Sequence, residues 1–283
     1  MRARRIFQAF ERTSSIICFV ILLSFAVELT CTAYYITTSK QSDFMTMAPV
    51  QDYENRLENQ LPQDEWTRTT FYWKNNLGVA GYRILTTVWY SGVSSEIVQA
   101  YVGGLVNTIR NYENTMMPFR AAIEFHGILE MTGFFIITAI TARLAWNIWK
   151  GLAFIMSYHK NAKRLIKRYR NRIKGLLEDY LILVSIGMLL IFLAAPIEAY
   201  ISPLVWGVFD MALVLPCVFL TLVALFYITV FFVQFRGWEM IKKDAKKIQT
   251  DIKSLLQGKF VPAHLSLSMF ILFTIPTIII ILM

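Results

Sequence analysis

Hydrophobic residues along this chain gather into long runs separated by polar or strongly basic stretches. A helix needs roughly 20 mostly apolar residues to cross a hydrocarbon core about 30 Å thick. The pattern therefore predicts an all-α fold, a polytopic transmembrane helical bundle. The first run covers about residues 14–37, behind the basic start Arg2, Arg4 and Arg5. It reads as a retained anchor, because it is long, Glu28 interrupts it and no clear small-x-small cleavage site follows. From 38 to about 70 the chain turns polar, with Asp43, Asp52, Glu54, Glu58, Asp64 and Glu65 outnumbering Lys40, Arg56 and Arg68. Little positive charge holds this loop inside, so it is expected to face outward.

Two weaker hydrophobic segments follow, at about 71–91 and 97–109, carrying Lys74, Asn75, Asn76, Arg83 and the glycines Gly78, Gly81, Gly103 and Gly104. Each is expected to be a short span, or the second re-entrant. The glycines are read as points where helices pack closely. A stronger span covers about 118–149, and 150–174 then holds Lys160, Lys163, Arg164, Lys167, Arg168, Arg170 and Arg172. Such density marks a cytoplasmic loop. Leu165, Tyr169 and Ile173 recur there at helical spacing, as in an amphipathic helix on an anionic leaflet or against a partner.

A further span is expected at about 181–201, then a long apolar run from 204 to 233 with Asp210 near its start. Residues 236–259 form a second basic segment, where Lys242, Lys243, Lys246, Lys247 and Lys253 outnumber Glu239, Asp244 and Asp251. A last span covers about 265–283. The sum is about seven spans with two basic cytoplasmic helical loops, the amino terminus in the cytoplasm and the carboxyl terminus outside, in a multi-pass protein of the cell membrane.

Composition agrees, with 56% hydrophobic residues, 17% charged residues and a mean hydropathy of +0.48, values that do not suit a soluble domain of this size. The net charge of +9 invites a nucleic-acid reading, but the cations cluster where topology requires them and no binding motif organises them. Membrane lipid is the expected counter-charge. Cys18, Cys31 and Cys217 lack paired metal spacing and read as small buried apolar residues. No Gly-rich phosphate loop, nucleotide fingerprint, HExxH pattern or GxSxG elbow is present. Trp73, Trp89, Trp146 and Trp149 are expected at interfacial depth.

The candidate chemistry lies in the span at 118–149, which places His126 and Glu130 four residues apart on one helix face. Ionisable side chains at that depth are costly and ask for a function. Glu124 to Glu130, EFHGILE, resembles the proline-His-Gly-x-x-Glu signature of the stage II sporulation protein M family, with Glu124 and Phe125 where leucine and proline are usual. The later stretch from Leu193 to Pro203, LAAPIEAYISP, is similar to the family's second motif, an acidic residue in a span that closes on Thr/Ser-Pro. Asn75 or Asn76 matches its asparagine-bearing upstream helix.

The resemblance covers roughly residues 71–203 as a membrane core, flanked by an anchor with its outer loop at 1–70 and a C-terminal membrane extension with a basic cytoplasmic segment at 204–283. It implies a multispanning membrane protein; the sporulation member acts as a scaffold recruiting peptidoglycan-remodelling enzymes, and many relatives have no sporulation context. It also implies an intramembrane polar centre of His126, Glu130 and Glu198, with Asn76 as a fourth member.

Three roles for that centre stand open. It could lock helices in register within a scaffold or membrane subunit of a larger complex, with a protein partner or further copies of the chain. His126, Glu130 and Glu198 could bind a divalent metal such as zinc for a membrane hydrolase, with Glu124 as general base. Or they could form a proton or ion path in a permease-like subunit, with Arg83, Arg120 and Arg143 as counter-charges, although Arg83 and Arg143 could equally snorkel towards an interface, the more ordinary use of a long cationic side chain in a span. A non-enzymatic scaffold is the leading expectation.

Overall fold

The computed structural model describes residues 2–51, 64–113, 125–157, 162–202, 222–257 and 263–282. Among them there is no strand. Helix α1 (Arg2–Thr38) is followed by the short α2 (Gln41–Met45), then α3 (Glu65–Leu85), a 3-10 turn (Thr87–Trp89) and α4 (Ser91–Glu113). Helices α5 (Phe125–Ser157) and α6 (Ala162–Pro196) come next, and α6 runs on into a π turn (Ile197–Ile201). A π-helical stretch (Ile228–Gln234), α7 (Gly237–Leu256) and α8 (Ala263–Leu282) complete the order.

Among the described residues three helices are long and apolar enough to cross a membrane: Ala3–Thr38, His126–Met156 and Ile173–Ile201. A fourth is reached only if residues 222–234 and 237–254, bent by 62°, are one broken span. Among the described residues length and composition thus support three or four spans, fewer than the seven expected, and the run at 204–221 lies outside them. The shortfall has physical causes. Helices α3 and α4, with 21 and 23 residues, would each reach about 30 Å, but their polar residues dilute them. In α8 the apolar stretch His264–Thr277 is short, and Asp210 and Cys217 lie outside the described residues.

Helix α6 holds a second difference from expectation. The basic segment and the span after it form one helix of 35 residues, since no proline interrupts the chain between 162 and 196. Lys163, Arg164, Lys167, Arg168 and Arg172 lie in its early turns, and their side chains are outside the described residues; Arg170 and Ile173 are exposed.

The core is set by close approach of α5 and α6, which run antiparallel. A Cβ added to Gly133 would lie 2.7 Å from the Gly187 carbonyl oxygen, and one on Gly187 would lie 2.7 Å from Ile137. Ile136, Ile140 and Leu183 pack beside this crossing, together with Ala9 of α1. Helix α4 runs parallel to α1, and a Cβ on Gly104 would lie 2.6 Å from the Cys31 Cβ. Glu28, the carboxylate inside the first span, accepts a 2.7 Å bond from the Asn107 amide and lies against Gly103. Gly103 and Gly104 are therefore close-packing points, as expected. Gly78 and Gly81 are not, because a Cβ on either meets nothing within 4 Å.

At one end of the bundle Asp179 of α6 is buried and accepts from Arg12 of α1 at 2.6 Å and Arg143 of α5 at 3.0 Å. Arg143 also donates to Thr13 at 2.9 Å. Removing one partner of a buried ion pair strands the other charge. Asp179→Ala is accordingly expected to lower stability by about 3 kcal/mol, whereas Arg12→Ala, whose side chain is half exposed, costs under about 1 kcal/mol. Thermal unfolding in mild detergent measures both.

The α3–α4 hairpin is fixed by its tip. Tyr90 takes a left-handed conformation, φ 54°, which is strained for a bulky residue. Its buried ring meets Phe270 edge-on at 5.3 Å, while the Trp149 indole donates to the Val88 carbonyl at 2.9 Å. Further along, Pro196 lacks the N–H that would bond the carbonyl four residues earlier. That Phe192 carbonyl instead accepts the Trp73 indole N–H at 2.8 Å, and the Trp73 ring stacks on Phe192 at 4.6 Å. Trp73→Phe keeps the stack but orphans the carbonyl, an expected loss of about 1 kcal/mol readable in the same unfolding assay.

Helix α3 begins where Asp64 accepts the Thr67 backbone N–H at 2.8 Å, an N-cap. Hydrogen bonds from the Thr67 side chain and backbone hold the Asp64 carboxyl below its usual pKa. A depressed folded pKa contributes stability that is fully present above the unfolded value near ~3.9 and is lost as pH falls through the folded value. Amide protection in the first turn of α3 is expected to be constant from neutral pH to mild acid and to fall below that window, a fall absent from Asp64→Asn, whose amide caps without titrating.

Candidate functional site: a polar track between helices

Helices α3 and α5 run side by side in the same direction, so polar residues spaced by about one turn on each face one another. On α5 the positions are His126, Glu130, Phe134 and Thr138; on α3 they are Tyr72, Asn76 and Arg83. At one end of this track the His126 ring is buried, its Nδ1 2.7 Å from the Ser202 hydroxyl and its Nε2 3.9 Å from Glu198 Oε1. Ser202 and Glu198 reach it because the π turn after Pro196 adds a residue to the local helical turn. Tyr72 of α3 neighbours Glu198.

One turn further along, Glu130 is half-buried beside Asn76. Asn75 donates to the Asn76 side-chain oxygen at 3.1 Å. Glu130 also feels the charge of Arg83.

Arg83 is the deepest member, with 0% of its surface exposed. It donates to Glu96 Oε2 at 2.6 Å, the Thr138 hydroxyl at 2.7 Å and the Ser95 hydroxyl at 3.1 Å, and also to Gln99. Its guanidinium carbon stands 4.5 Å from the centre of the Phe134 ring, a cation–π arrangement that desolvation strengthens. A guanidinium has five N–H donors, and side chains from two neighbouring helices engage it through every one of its nitrogens. Ordinary snorkelling towards water does not describe this residue.

The four residues expected to form a polar centre therefore lie along one track but are divided within it. His126 and Glu198 sit together at its end, whereas Glu130 and Asn76 sit beside Arg83. Among the described residues no three His, Cys, Asp or Glu side chains converge closely enough to hold a metal ion. Glu124 and Arg120 lie outside the described residues. Sequence reading missed Glu96, Gln99 and Ser95, which complete the Arg83 site. Their signal was present: Ser95 and Gln99 share a helix face at i, i+4, and Glu96 is a lone carboxylate in an otherwise uncharged stretch.

A model of the stage II sporulation protein M family matches residues 15–203, more than half of the chain. The match includes α1, upstream of the motifs that carry the resemblance, and it ends before α7 and α8. No curated protein matches, and no solved structure does. The matched region contains every residue of the track, and its long apolar helices belong to a membrane protein. This chain is a member of the stage II sporulation protein M family.

Proposed function

We propose that the chain is an integral membrane scaffold, the membrane subunit of a larger complex, whose helices are held in register by the polar track from His126 to Thr138. The observation that carries this reading is Arg83, whose nitrogens are all engaged by side chains of α4 and α5. A fully satisfied buried network specifies one packing of its helices. A conduction site would instead need groups that bind and release a passing ion.

In this reading the chain crosses the cell membrane seven times, through α1, α3, α4, α5, α6, the run at 204–233 and α8. The basic segments and the amino terminus lie in the cytoplasm, and the carboxyl terminus lies outside. Supporting this orientation, Arg12 and Arg143 meet at one end of the bundle, the end that carries the basic stretches under the positive-inside rule. In this reading α3 and α4 cross despite their polarity because Arg83, Ser95, Glu96 and Gln99 satisfy one another within the track and Asn107 bonds Glu28 of α1.

Purified protein reconstituted in proteoliposomes is expected to dissipate a pH or sodium gradient no faster than empty vesicles. Gradient dissipation that Glu130→Gln abolishes would replace the scaffold reading with transport.

A further inference from the structure

One face of α3 turns away from the bundle, and its residues are unlike a lipid-facing surface. Phe71, Lys74, Gly78, Gly81 and Leu85 follow one another at spacings of three, four, three and four, the seam of a helix that packs against another helix. Leu85 is 87% exposed and Tyr82 beside it 55% exposed. The glycines leave a notch, since a Cβ on Gly78 or Gly81 would meet nothing within 4 Å. An open cavity of about 460 Å³ follows the same face, between Phe71 and Tyr82, with Lys74 and Asn75 on its wall and Ser95 of α4 at its edge.

Depth makes this face unusual. Ala80 of α3 packs on Phe134 and Ile137 of α5 and Ile191 of α6, all inside the candidate spans His126–Met156 and Ile173–Ile201, so α3 lies alongside two helices long enough to cross a membrane. Lys74 and Asn75, both exposed, stand about 14 Å from the start of α3, which in the seven-span reading places them within the hydrocarbon zone. An ammonium group there is costly unless a carboxylate meets it.

We infer that the Phe71–Lys74–Gly78–Gly81–Leu85 seam of α3 is the docking site for a membrane-spanning helix of another protein, one that carries an Asp or Glu at the depth of Lys74. Charge decides the occupant: a second copy of this chain would bring another Lys74 and no carboxylate to the seam. The glycines admit the close backbone approach on which helix association in membranes depends. This inference rests on reading the chain as a subunit of a larger complex, and it names the surface by which the partner is held.

The test places p-benzoylphenylalanine at Phe71 or Leu85 of the full chain and irradiates intact membranes. Mass spectrometry of the adduct is expected to find an apolar span of another membrane protein with an acidic residue within two turns of the cross-link. Lys74→Glu is expected to lower adduct yield about tenfold, the effect of one interhelical polar contact, and Lys74→Arg to retain it. Exchanging the partner's acid for lysine should restore the yield with Lys74→Glu. Thermal unfolding of the Lys74 variants, expected to match the parent, separates docking from folding.

Adducts only to lipid, to another copy or to the same chain would overturn the inference. So would the absence of any adduct, or a yield indifferent to Lys74→Glu. If a partner co-purifies in stoichiometric amount while the seam gives no adduct, the docking site fails and the scaffold reading stands. If nothing co-purifies, the scaffold reading itself fails.

Discussion

Arg83→Met is expected to lower the stability of the bundle by about 3–5 kcal/mol, the cost of leaving a buried charge without its partner. The stranded group is Glu96, whose side chain is 5% exposed. Gln99 and Thr138 lose their donor at the same time. Methionine fills much of the space of the arginine stem and is apolar, so the loss reports the broken network more than a cavity. Adding Glu96→Gln removes the orphaned charge, and the double variant is expected to recover a large part of the stability. Buried ion pairs replaced on both sides are often nearly neutral, while those broken on one side are not. Unfolding of the two single variants and the double variant in mild detergent completes the cycle. A single-variant loss under about 1 kcal/mol would place Arg83 in reach of water.

Gly133→Leu is expected to be as damaging for a different reason. The first added carbon would stand 2.7 Å from the Gly187 carbonyl oxygen and 2.7 Å from an Ile191 side-chain carbon. Backbone cannot step aside as a flexible side chain can, so α5 and α6 must separate, and overpacking of this kind costs about 3 kcal/mol or more. Separating them also moves Ser202 from His126 and Asp179 from Arg143, since both bonds bridge the same helix pair. Gly187→Ala should show the same fault more mildly. Gly175→Ala is the contrast: it lies exposed on α6 with nothing within 4 Å, and gains about 0.5–1 kcal/mol by restricting the unfolded chain. Equal effects at 133 and 175 would show that α5 and α6 are not in close contact there.

The contrast between these glycines shows where the sequence was legible. Hydrophobic runs placed α1, α5 and α6, because burial in lipid demands a continuous apolar length and leaves its mark on composition. The His126 and Glu198 motifs placed one end of the track. Spacing alone does not reveal which face of a weakly amphipathic helix meets a neighbour, so Gly78 and Gly81 looked equivalent to Gly103 and Gly104. Only the last two touch another helix. Glu96 was missed because its pairing with Arg83 depends on the register of the α3–α4 hairpin, which Tyr90 and Trp149 set from outside the segment. Asp179 went unnoticed in the sequence because its two arginines come from helices far away in sequence.

The division of the polar centre is the most consequential difference. His126 and Glu130 share a face of α5, yet each is engaged by a different neighbour, α6 and its π turn for one and α3 for the other. A motif that seems to gather ligands instead distributes them along three helices, which suits a lock on helix register.

The most direct test is mass spectrometry of material purified natively in mild detergent, comparing the intact chain with a His126→Ala, Glu130→Gln variant. A stoichiometric partner present with the intact chain and lost from the variant is the predicted result, because in the proposed reading the track holds α3, the helix that carries the docking seam. A partner retained undiminished by the variant, or no partner with either protein, would contradict a track that supports assembly.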